Sequence, residues 1–113
     1  MVEPGFVQLY ARDFMALATR AEAGVEVAAQ VDKRILEARS HAALMDARKG
    51  EGHLPAVIDR LRVESERGDV RLMRAGEDVD GAVQRRRAFL LEVAERLELT
   101  PVAPAGRAVA GRA

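Results

Sequence analysis

The chain has 113 residues with eighteen Lys or Arg against eighteen Asp or Glu, a formal net charge of zero. That is one domain at most, and a charge balance that argues against holding nucleic acid or an anionic membrane by bulk field. Cysteine is absent, which excludes disulfides, iron–sulfur clusters, thiolate zinc sites and cysteine nucleophiles.

Residues 1–5 form a lead, with Pro4 suited to the first turn of a helix. Met-Val-Glu-Pro-Gly has no basic region and no apolar run behind it, so no signal peptide is expected, and no segment approaches the roughly 18 apolar residues of a membrane span. A soluble, cytoplasmic protein is the expectation. Behind the lead, Val7, Tyr10, Phe14, Leu17, Ala21, Gly24, Ala28, Val31, Ile35, Ala38, Ala42 and Met45 recur in steps of three and four, with charged residues filling much of the rest. Apolar recurrence every 3.5 positions predicts one long amphipathic helix over about 6–49, ending on Arg48 and Lys49 where positive charge suits the helix dipole.

Gly50-Glu51-Gly52-His53 reads as a turn at 50–53, and Pro55 stands where a second helix can begin. A connection this short predicts antiparallel neighbours. The three-four spacing continues through Leu54, Ile58, Leu61, Ser65, Gly68, Leu72, Ala75, Val79, Ala82, Arg86, Leu90, Val93 and Leu97. This seam carries a serine, a glycine and an arginine, and Gly68, Gly76 and Gly81 each cost about 1 kcal/mol relative to alanine within a helix. The expectation is a second helix over about 54–99, kinked or frayed. The alternative is a break near Arg67-Gly68-Asp69 or Asp78–Gly81, with Asp69 or Asp80 capping a new helix. Thr100-Pro101 ends it, and residues 100–113 form a low-complexity Ala/Pro/Gly/Arg tail with nothing to build a core from.

The predicted fold is therefore all-α, an antiparallel two-helix hairpin about 60–65 Å long at 1.5 Å per residue, coiled-coil-like in its seam. A two-helix seam covers only a narrow stripe, and Phe6, Leu9 and Met15 widen the stripe at the open end opposite Phe89, Leu90, Leu91 and Leu97. Leu36, Ala43 and Leu44 repeat the surplus nearer the turn. Self-association or a protein partner is expected to complete a bundle, the alternative being a chain that bends back into three or four helices and buries the surplus itself.

Candidate binding residues follow. Phe6, Tyr10, Phe14, Phe89, Leu90 and Leu97 are the expected apolar contacts, since large buried groups carry most interface energy. Arg85, Arg86 and Arg87 have no acidic neighbour three or four residues away in their own helix, so they look to cross-helix ion pairs with Asp13 or Glu22, to an acidic protein surface, or to phosphate. His41 and His53 flank the turn near Asp46 and Glu51 in no recognised metal-ligand spacing, and read as solvated; no metal site and no cofactor is expected. Ser40 and His41 point about 100° apart on a helix, too far for a nucleophile–base pair. The functional expectation is a non-enzymatic adaptor, chaperone or assembly subunit that binds a partner through apolar helix faces, with no small-molecule substrate. The alternative is a nucleic-acid-associated protein that contacts phosphate through Arg85, Arg86 and Arg87, helped by Arg107 and Arg112.

Overall fold

A computed structural model describes residues 1–67 and 79–99. Over these residues the chain is all-α, with four helices and no strand: α1 (Pro4–Glu22), α2 (Ala28–Lys49), α3 (His53–Ser65) and α4 (Val79–Glu98). They pack as a compact bundle, not as a two-helix hairpin. The expected first helix is divided, and the second arm is no longer helical at Glu66 and Arg67. The stretch holding Gly68, Gly76, Leu72 and Ala75 lies outside the described residues, as does the tail from Thr100.

The division of the first helix has a specific cause. Gly24 has φ of +88°, in the left-handed region that side chains avoid. Its N–H donates to the Ala21 carbonyl at 3.0 Å, and the Val25 N–H reaches back to the Arg20 carbonyl at 3.0 Å. This pair of bonds is a Schellman motif, which satisfies the last carbonyls of α1 and turns the chain out of the helix. Val27 then buries its side chain, and the Glu26 carboxylate accepts the Ala28 N–H at 2.8 Å, satisfying one of the first donors of α2.

The reversal at Gly24 lays α1 back along α2. Tyr10 faces His41 and Asp13 faces Arg34, so the two run antiparallel. The start of α1 is thereby carried to the α2–α3 turn, where the Phe6 ring lies 5.3 Å from the His53 ring. The turn has Gly50 and Gly52 at φ of +104° and +106°, and α3 begins at His53, inside the expected 50–53 turn. α4 returns along α3, with Leu97 beside Ile58 at one end and Arg86 at the Glu64 carbonyl at the other.

The core lies between all four helices. Phe14, Leu61, Leu90 and Leu97 are fully buried, joined by Val31, Ile35, Ala38 and Ala42 from α2. Most of the expected seam is therefore inside, on both sides of the break. Two polar members of that interior are satisfied. Ser65 donates to the Arg62 carbonyl at 2.7 Å, and the buried Glu64 carboxylate takes Arg60 at 3.0 Å and Arg67 at 3.4 Å.

Candidate protein-binding face

Of the six apolar residues expected at a partner surface, Phe6, Tyr10, Phe14, Leu90 and Leu97 are buried within the single chain. Much of the surplus stripe that a hairpin would leave open is covered because α1 folds back at Gly24 and supplies the missing helix, although Leu9 and Leu91 stay exposed. Phe89 alone is half-buried, on the wall of a shallow groove between the start of α2 and the middle of α4, with Val27, Val31, Val93 and Arg96 around it.

The three arginines do not converge. Arg85 pairs with Glu22 at 3.0 Å across helices, one of the two acidic partners anticipated. Asp13, the other, pairs instead with Arg34 at 3.4 Å. Arg86 is half-buried and donates to the Glu64 carbonyl at 3.1 Å, at the C-terminal end of α3. Arg87 is exposed. Arg107 and Arg112 lie outside the described residues.

The two histidines are not the solvated pair expected. His53 is 0% exposed, and its Nδ1 lies 2.8 Å from Asp46 Oδ1 while its Nε2 accepts the Glu3 backbone N–H at 3.0 Å. The Asp46 carboxylate also accepts the His53 backbone N–H at 3.1 Å and so caps α3, and these bonds hold its pKa below the ordinary carboxylate value. His41 is half-buried, with Nδ1 3.0 Å from the Tyr10 hydroxyl, and Phe6 packs edge-on between the two imidazoles. An aspartate–histidine pair is half of a nucleophile-activating arrangement, but that chemistry needs an open Nε2 facing a nucleophile. Here Nε2 is occupied by backbone. Among the described residues no group of three or more His, Asp or Glu side chains is placed to hold a metal.

The bundle leaves the far side of α2 uncovered, besides the exposed Leu9, Val63 and Leu91 on the other helices. The buried stripe of α2 is Val31, Ile35, Ala38 and Ala42. At 100° per residue the opposite side carries Ala29, Lys33, Leu36, Ser40, Ala43, Leu44 and Ala47, all exposed. Leu36 is 64% and Leu44 60% exposed. They stand two turns apart, about 12 Å along the axis, with small residues between and beside them. α2 is thus apolar on two sides, and the bundle uses one. No described helix is long and apolar enough to cross a membrane.

No family model, curated protein or solved structure matches the chain.

Proposed function

We propose that the chain is a non-enzymatic helical binding module, an adaptor, chaperone or assembly subunit, that engages a protein partner through the outward face of α2. The observation that carries the reading is the exposure of Leu36 and Leu44 on the side of α2 opposite its core stripe. Two leucines set among Ser40, Ala43 and Ala47 form ridges and shallow hollows in which another helix can seat its own side chains. Removing such side chains from water is worth about 1.5–3 kcal/mol each, so a folded monomer carrying them outward retains a drive to associate.

The phosphate-binding alternative draws less support. Arg85 is committed to Glu22 and Arg86 to the end of α3, which leaves no convergent basic surface at the triplet.

A Leu36→Glu/Leu44→Glu double variant tests the proposal. Both positions are solvent-facing, so its melting temperature stays within a few degrees of the parent. Light scattering across a dilution series and co-purification from the native host should show a loss of self-association or of the captured partner. Unchanged mass and unchanged capture overturn the assignment to α2.

A further inference from the structure

The lead that precedes α1 is fastened to the α2–α3 turn by few contacts, and one of them depends on a protonation state. The backbone nitrogen of Met1 meets the Lys49 carbonyl. Val2 packs so closely on Gly52 that an added Cβ there would lie 3.3 Å from its Cγ2. A Cβ at Gly50 would lie 2.6 Å from the Met1 nitrogen. The third fastening is the Glu3 N–H bond to His53 Nε2 at 3.0 Å.

A backbone amide only donates, so Nε2 must present a lone pair and the ring proton must sit on Nδ1, where it is donated to Asp46 Oδ1 at 2.8 Å. The tautomer of His53 is thereby fixed by two neighbours on different segments. We propose that His53 is an acid-released latch for the residue 1–3 lead: protonating Nε2 removes the acceptor that holds Glu3, and the lead lifts from the turn.

Both ends of the ring argue in the same direction. Nδ1 carries a proton in the neutral and the charged ring alike, so the bond to Asp46 on α2 survives protonation. Nε2 changes from acceptor to donor, which sets two N–H groups against each other. The imidazolium so formed is 0% exposed while the lead is docked, and among the described residues no acceptor is bonded at Nε2. Burial of a charge without a partner at that nitrogen is costly, and departure of the lead hydrates it. The charged group bonded to the ring is the Asp46 carboxylate of α2, and Phe6 packs between the ring and the Tyr10 hydroxyl of α1 and His41 ring of α2, which bond each other. Release would uncover Gly50, Gly52 and the edge of Phe6 at this end of the bundle.

The test is solution NMR of the full chain between pH 8 and 5, following the His53 ring nitrogens and the exchange protection of the Glu3 amide, corrected for intrinsic exchange. The latch predicts that Glu3 protection falls about tenfold one pH unit below the His53 midpoint while core amides of α1 and α3 keep theirs. In His53→Gln, whose side-chain carbonyl replaces the Nε2 acceptor without titrating, Glu3 protection persists to pH 5. The proposal is overturned if Glu3 stays protected after the His53 ring has titrated, if His53 does not titrate before the whole bundle unfolds, or if the lead releases from His53→Gln at the same pH as from the parent.

Discussion

Tyr10 is the only tyrosine in the chain, which makes it a reporter with no competing signal. Its hydroxyl is raised above the ordinary value near 10 by burial first and by the Glu37 and Asp13 carboxylates after it, with Arg34 opposing. A raised tyrosine contributes stability that is fully present below about pH 10 and is lost as pH rises through the folded value. Tyrosinate absorbance should therefore develop at higher pH in native protein than in denatured protein, and coincident curves would refute the burial. Asp46 carries the opposite sign. Its carboxyl is lowered, chiefly by the His53 side chain and also by the His53 and Gly52 backbone. Its contribution is present above the unfolded value near 4 and is lost as pH falls through the folded one. Asp46→Asn should flatten acid denaturation below pH 4 relative to the parent, and an unaltered acid transition would remove Asp46 from that account.

Between residues and fold stand the helix ends, and here the chain relies on side chains from elsewhere. Arg86 meets the Glu64 carbonyl of α3, and Arg39 donates to the Arg96 and Leu99 carbonyls at the end of α4. The Glu64 carbonyl takes the Arg67 N–H at 3.2 Å as well as the Arg86 guanidinium, and among the described residues the buried Nε of each arginine has no partner. An arginine on a seam reads from sequence as a flaw or as a functional charge. In the fold it is a cap. α1 ends by a local device instead, the left-handed Gly24. Nothing lies within 4 Å of an added Cβ at that position, so the penalty for Gly24→Ala is conformational and not steric. It should lower stability by about 1 kcal/mol, read as a fall of several degrees in melting temperature. A variant at or above the parent value would mean that the left-handed turn is not needed.

The whole molecule turns on how four stripes share one interior. Phe14 and Leu61 are completely enclosed, so Phe14→Ala should cost about 3–5 kcal/mol and Leu61→Ala about 2–5. Since the stability of a domain this size is only some 5–15 kcal/mol, Phe14→Ala should unfold in much less denaturant than the parent. A loss of partner binding with full stability would instead restore Phe14 as a surface contact. Leu36→Ala should leave the denaturation midpoint within the scatter of surface substitutions, because its side chain meets solvent and not the core.

The helical class, the inward positions Tyr10, Phe14, Val31, Ile35, Ile58, Leu61, Leu90 and Leu97, and the glycine turn at Gly50–Gly52 were all legible in the chain, because three-four periodicity and positive-φ glycine are local properties. The stop at Gly24 was also written there, as a glycine followed by Val25. It was obscured because the apolar period continues in step across it, and periodicity alone does not separate one helix from two packed helices. The surplus at Leu36, Ala43 and Leu44 was visible as well, and it stays outside, as do Leu9 and Leu91. Only the tertiary structure decided that Phe6 faces inward, that Arg86 closes a helix, and that His53 is buried between Asp46 and Glu3. These pairs are 22 residues apart for Arg86 and Glu64 and 50 for Glu3 and His53; the first meet only when α4 packs on α3, the second only once α1 has turned back at Gly24. The spacing of apolar residues determines which side of each helix seeks cover; the loops between helices determine what supplies it.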